Sequence, residues 1–143
     1  RIFSNDHEGH YKLAYDLFKK NIIFGVGPKG FRHYCRSVQY DPDIGICSTH
    51  PHNTLIQILA ETGLIGFLFY ISGILYILFK IFKSYSSFVT EDVKSYFIIV
   101  SIGLLINLFP FLPSGNFFNN WISLINFYLV GIYFYAYKKV FVL

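Results

Sequence analysis

Three long apolar stretches constrain the fold of this chain more than any other feature. They cover residues 64–82, 96–113 and 121–137 and contain almost no charged side chains. Each has about the length needed to cross a hydrocarbon core roughly 30 Å thick. Over the whole chain 54% of the residues are hydrophobic and only 14% are charged, which excludes an ordinary soluble domain. The sequence therefore predicts an all-α, polytopic integral membrane protein with three transmembrane helices.

The basic residues around these stretches predict the orientation of the spans. Five lysines flank the spans on one side: Lys80, Lys83, Lys94, Lys138 and Lys139. The connection between the second and third stretches, residues 113–120, contains neither Lys nor Arg. By the positive-inside rule, the first connection and the C-terminus are cytoplasmic, so three spans place residues 1–62 outside the cytoplasm.

The chain is thus predicted to consist of two regions. Residues 1–62 form an extracytoplasmic helical loop, in which residues 5–20 have the pattern of an amphipathic helix, and residues 63–143 form the membrane region. The chain begins at Arg1 and contains no methionine. We therefore expect it to be the C-terminal part of a longer protein.

Two cysteines, Cys35 and Cys47, bracket eleven residues rich in turn formers. If this segment lies in an oxidising compartment, a disulfide between them stabilises the fold by roughly 2–3 kcal/mol. The alternative is a pair of unrelated buried thiols.

The net charge of +4 is spread along the chain without a base-reading motif, which argues against binding to nucleic acid.

A glycine-rich segment, GVGPKG at residues 25–30, formally matches the dinucleotide-binding fingerprint. That fingerprint requires a strand before it and a helix after it, and the sequence predicts neither. A tight turn with positive φ angles is favoured instead. The alternative is an anion-binding concavity formed by backbone N–H groups together with Lys29, Arg32 and Arg36.

The densest group of reactive side chains lies in residues 47–66, CSTHPHNTLIQILAETGLIG. Pro51 suits the first turn of a helix, which predicts a cap at Thr49 or His50 and a helix that ends near Gly63. Three polar residues recur every four positions and share one face of this helix: Asn53, Gln57 and Glu61. A polar stripe headed by two histidines therefore leads into the first apolar stretch.

Two function classes can be considered for this cluster from its residues alone. Cys47, His50, His52 and Glu61 are candidate ligands of a zinc-dependent membrane hydrolase, although no His-Glu-x-x-His helix is present. Alternatively, the chain is a non-catalytic membrane assembly factor whose polar helix docks a partner. Metal analysis separates the first class from a metal-independent enzyme, and glycan profiles of a deletion strain test the second.

The order of these motifs resembles a known family. GVGPKGFRHYC, a loop, STHPHNTLIQILAETGLIGF and then membrane spans resemble the C-terminal part of the O-antigen ligase and O-antigen polymerase superfamily, over about residues 7 to 83. The resemblance implies a multi-pass protein of the bacterial inner membrane whose residues 1–62 belong to a large periplasmic loop. It also implies that this chain alone is inactive, because further arginines of the site are expected upstream of it.

The activity implied by the resemblance is metal-independent and cofactor-independent glycosyl transfer. The donor is an undecaprenyl-diphosphate-linked glycan in the membrane lipid, and the acceptor is lipid A-core or a second lipid-linked glycan. The family points to His52 as the catalytic histidine and to loop arginines, here Arg32, as the groups that hold the diphosphate. The expected substrate-binding residues are Lys29, Arg36, His50, Asn53, Gln57 and Glu61.

Physical chemistry supports these two roles. A sugar hydroxyl is a poor nucleophile, and a histidine with an ordinary pKa of about 6.5 is neutral near pH 7 and can accept its proton. A diphosphate that leaves without a metal ion needs cations, and the planar fork of Arg32 suits pairs of phosphate oxygens.

Overall fold

The computed structural model describes residues 5–37, 47–109 and 114–142. Within them the chain forms five helices and no strand, which confirms the all-α prediction for this part of the chain. The helices are α1 (Asn5–Lys20), α2 (Gly30–Ser37), α3 (Thr54–Ser84), α4 (Glu91–Asn107) and α5 (Asn120–Phe141). They belong to two compact units, one formed by Arg1–Phe69 with Pro110–Ile122 and the other by Tyr70–Phe109 with Ser123–Leu143.

The first unit is built around the buried faces of α1 and α2. Helix α1 has the predicted bounds, and its buried side chains include Leu13, Ala14 and Leu17. They pack with Phe31, Cys35 and Ala60, and with the partly buried Val26 and Ile56. This core brings the turn before α2 against the first part of α3. Helix α2 begins at Gly30, so a helix does follow the glycine-rich segment, contrary to the prediction.

Helix α3 is broken at Gly63, where φ is 64° and ψ is −163°. The turn after α1 supplies partners to the interrupted backbone ladder: Val26 N–H donates to the Ala60 carbonyl at 3.0 Å, and Leu64 N–H donates to the Ile22 carbonyl at 2.8 Å. The polar helix predicted to end near Gly63 and the apolar stretch predicted to begin at residue 64 are thus the two halves of α3.

The start of α3 differs from the prediction. The helix begins at Thr54, and Pro51 lies before it rather than in its first turn. The side-chain carbonyl of Asn53 accepts the Ile56 N–H at 3.1 Å, so Asn53 is the N-cap in place of Thr49 or His50.

The second unit has its own apolar core, formed by the later part of α3 with α4 and α5. Its buried residues are Ile77, Phe97, Leu104, Tyr133, Ala136 and Val140. Among the described residues one helix, Thr54–Ser84, is long and apolar enough to cross a membrane. Helices α4 and α5 overlap the second and third apolar stretches, and their membrane crossing stays a prediction, as does the membrane boundary at residues 62 and 63.

Candidate functional site

A buried polar network fixes the polar face of α3. The side-chain amide of Gln57 donates to Glu61 Oε2 and to Asn116 Oδ1, both at 2.9 Å, and its oxygen accepts the Phe117 N–H at 3.0 Å. Gln57 and Glu61 are fully buried. This network holds the segment after residue 113 against α3, so both side chains have protein partners, and their expected binding of substrate stays a prediction.

Glu61 also determines where α2 begins. Its Oε1 accepts the Phe31 N–H at 2.9 Å, in the first turn of α2. A carboxylate at a helix N-terminus satisfies N–H groups that have no partner inside the helix. Arg32 is the next residue, so the contact between Glu61 and Phe31 fixes the position of the arginine backbone.

His50 is buried and anchors residue 114. Its Nε2 lies 3.0 Å from the Ser114 carbonyl, and its Nδ1 lies 3.1 Å from Thr49 Oγ1. Because a carbonyl only accepts, Nε2 carries the proton of the neutral ring and Nδ1 accepts from the threonine hydroxyl. Burial is the main cause that lowers the pKa of His50, and the charge of Arg32 also lowers it. Both ring nitrogens of His50 therefore have protein partners beside the candidate base, and its expected contact with substrate stays a prediction.

His52 is the most unusual residue of the site. It has a positive φ of 59°, which is rare for a residue with a side chain and is found at functional sites. Its side chain is partly exposed, and its Nε2 lies 3.0 Å from Ser48 Oγ. The Ser114 N–H donates to the His52 carbonyl at 3.1 Å, which holds the backbone in this conformation.

Three further histidine rings surround His52. The ring centroids of His50, His7 and His10 lie 4.2, 5.4 and 5.7 Å from that of His52. Partial burial is the main cause that lowers the pKa of His52, and the neighbouring imidazoles lower it further. The proton is therefore held less tightly than on a free histidine, and His52 is neutral at pH 7.

The sequence interpretation did not include His7, His10 or Ser48 in the site. His7 and His10 lie one turn apart on α1, and that spacing was the available signal. Their approach to His52 depends on how α1 packs against the residues before α3, which no local pattern contains. Ser48 lies four residues before His52 in a segment without regular structure.

The candidate cations lie on and beside α2. Arg32 is partly buried, and its Nε is buried without a hydrogen-bond partner among the described residues. A buried guanidinium N–H normally has an acceptor, so this group is suited to an anion that enters the site. Lys29, with φ of 64°, donates from Nζ to Asn120 Oδ1 at 3.3 Å. Arg36 is exposed in the last turn of α2.

A disulfide joins α2 to the histidine segment. Cys35 and Cys47 are bonded, with their Cα atoms 5.6 Å apart, which is within the usual range. Cys47 is the residue before Ser48, so the bond ties the partner of His52 to the helix that carries Arg32. Residues 38–46 between the two cysteines lie outside the described part of the chain.

The zinc-site alternative receives no support from the geometry. Among residues 5–37, 47–109 and 114–142, no three His, Cys, Asp or Glu side chains are arranged to hold a metal ion. Cys47 is in the disulfide and Glu61 is bonded to Phe31, so two of the four candidate ligands are already engaged.

Comparison with known proteins identifies one family. A family model described as O-antigen ligase matches residues 9–71. The match includes the glycine-rich turn, α2, His50, His52 and the first half of α3, whereas His7 and the segment at residues 114–117 lie outside it. No curated protein and no solved structure matches the chain.

Proposed function

We propose that this chain, whose residues 9–71 match the O-antigen ligase family model, transfers a glycan from an undecaprenyl-diphosphate carrier to a sugar hydroxyl. The family supports a glycosyltransferase-like role in polysaccharide biosynthesis. The observation that carries the finer proposal is the presence, in one compact unit, of a histidine with a lowered pKa and an arginine with a buried N–H that has no partner among the described residues.

In the proposed reaction His52 is the general base. The acceptor hydroxyl loses its proton to the ring of His52 as its oxygen forms a bond to the anomeric carbon of the donor. When Nε2–H donates to Ser48 Oγ, Nδ1 is the nitrogen that accepts the proton. Base catalysis of this kind contributes about 10²-fold to 10⁴-fold to the rate.

Arg32 acts on the leaving group. The bond between the anomeric carbon and the phosphate oxygen breaks, and the diphosphate leaves with the bonding electrons. The guanidinium of Arg32 neutralises the negative charge that develops on the phosphate oxygens. Lys29 and Arg36 are further candidate cations for the same group.

The proposed location is the bacterial inner membrane with residues 1–62 in the periplasm. A cysteine placed at Ser86, in the connection between α3 and α4, tests this topology. An impermeant thiol reagent applied from the periplasm should leave it unmodified, and modification would overturn the proposed orientation.

The activity is tested with the full-length protein in proteoliposomes. The donor is an undecaprenyl-diphosphate-linked glycan, and the acceptor is lipid A-core or a second donor molecule. His52→Ala should lower the transfer rate at least about 100-fold. His33→Ala is the matched control, because His33 is exposed on α2 and lies outside the histidine cluster.

The same assay separates the proposal from its alternatives. Near-normal transfer by a folded His52→Ala protein would exclude His52 as the base. Loss of wild-type activity on chelation, with recovery on addition of zinc, would favour the metal-dependent hydrolase. Absence of transfer with every lipid-linked glycan donor and acceptor tested would favour a non-catalytic assembly role.

A further inference from the structure

Three apolar side chains project from the turn that follows α1. Ile22, Ile23 and Phe24 are 51%, 58% and 73% exposed, and we refer to them as the apolar tip. Adjacent large apolar residues are rarely left exposed to water without a partner. Lys20, at the end of α1, is exposed two residues before Ile22. The tip therefore has the composition of a surface that meets both an apolar phase and anionic groups.

Backbone hydrogen bonds fix the apolar tip beside the start of the apolar half of α3. The Leu64 N–H donates to the Ile22 carbonyl at 2.8 Å, and the Ile65 N–H donates to the Ile23 carbonyl at 3.3 Å. Leu64 and Ile65 are themselves 42% and 54% exposed. The tip thus extends laterally the apolar surface of the one described helix that is able to cross a membrane.

We propose that the apolar tip inserts into the outer surface of the lipid bilayer, beside the point where α3 enters it. The partner is the boundary between headgroups and acyl chains, where apolar side chains flanked by lysine are stable. Insertion requires that backbone polar groups have partners inside the protein. The Ile22 and Ile23 carbonyls accept from α3, and the Gly25 N–H donates to the Asn21 carbonyl at 2.8 Å.

Insertion of the tip would set the depth of the candidate site. Lys29 lies in the turn that follows the tip, and Arg32 lies at the start of α2. Glu61, which is two residues before the break at Gly63, accepts a hydrogen bond from the start of α2. The cations then lie near the level of the lipid headgroups. This consequence rests on the proposed function, since that is where the diphosphate of a lipid-linked donor lies.

Quenching by brominated lipid tests the proposal in the full-length protein. Phe24→Trp is made in a variant that carries Trp121→Phe and whose other tryptophans, if any, are replaced, and the protein is placed in nanodiscs of phosphatidylcholine brominated at acyl carbons 6 and 7. Phe24 is 73% exposed, so the larger ring is accommodated without repacking. We expect the fluorescence to fall to less than half of that in unbrominated lipid.

Two matched variants make the result decisive. Tyr15→Trp places the probe at a 57% exposed aromatic position on α1, seven residues before Ile22, and should show little quenching. Leu75→Trp places it at a 58% exposed position within α3 and should be quenched by lipid brominated deeper in the chain.

The outcomes separate this inference from the proposed activity. Equal, weak quenching at Phe24→Trp and Tyr15→Trp would overturn the insertion of the tip. An unquenched Leu75→Trp would show that α3 does not cross the membrane, and this result would also overturn the insertion. Strong quenching that persists in an inactive His52→Ala background would support insertion whether or not the chain transfers glycans.

Discussion

Gly25 and Gly63 lie so close together that neither position has room for a side chain. A Cβ atom on Gly25 would be 2.6 Å from the Gly63 nitrogen, and a Cβ atom on Gly63 would be 2.5 Å from the Gly25 nitrogen. Both residues have positive φ angles, 66° and 64°. This contact joins the turn before α2 to the break in α3, and it therefore positions Arg32 relative to the segment that carries His52.

We predict that either Gly25→Ala or Gly63→Ala lowers the free energy of unfolding by about 2 kcal/mol or more, because each adds backbone strain and a steric clash. The measurement is the thermal unfolding midpoint in detergent. Gly73→Ala is the control, since a Cβ there meets open space within the same helix. A Gly63→Ala protein as stable as Gly73→Ala would contradict the role given to this contact.

A second prediction concerns the disulfide between Cys35 and Cys47. Its removal by Cys35→Ala with Cys47→Ala should lower stability by about 2–3 kcal/mol, because the bond restricts the unfolded chain. Reductant should lower the unfolding midpoint of the wild-type protein and leave that of the double variant unchanged. Mass spectrometry without reduction should find the two cysteine peptides linked, and two alkylated thiols would show that the bond is absent.

The sequence predicted the helices of this chain better than it predicted their contacts. The bounds of α1 and the division of α3 near Gly63 follow from local patterns, namely apolar periodicity and a glycine at a helix end. The bonds from Glu61 to Phe31 and from Gln57 to Asn116 join residues 30 and 59 positions apart. An amphipathic pattern shows that a polar face exists but not which residues it contacts, so these long-range bonds could not be predicted.

In the candidate site, too, some features were predictable from the sequence and others arise only from tertiary packing. His52 and Arg32 were predicted from the residues and their resemblance to a family, and the matching family model covers both. The left-handed backbone of His52 and the approach of His7 arise from tertiary packing. They are properties of the folded unit that sequence spacing does not contain.

A third prediction tests Arg32 as a ligand of the diphosphate. Arg32→Lys should raise the KM for the lipid-linked donor about 10-fold to 100-fold and leave the KM for the acceptor unchanged, since an ammonium group cannot reproduce a paired contact. Because Arg32 Nε has no hydrogen-bond partner among the described residues, the unfolding midpoint should change little. An unchanged donor KM would remove Arg32 from donor binding.

The last prediction uses the pH dependence of His52. Its pKa is lowered, chiefly by burial, and the base must be neutral, so kcat/KM should be constant near pH 7 and fall tenfold per pH unit below a pKa that lies under 6.5. After burial and the imidazoles of His50 and His10, the electrostatic effect of His7 also contributes to this lowering. His7→Gln should therefore raise the pKa of His52 and move the acid limb toward pH 6.5, whereas the exposed His33→Gln should leave it in place. Steady-state rates between pH 4.5 and 8 measure the shift. An acid limb unaffected by His7→Gln, or one that persists in His52→Ala, would assign the titration to a different group.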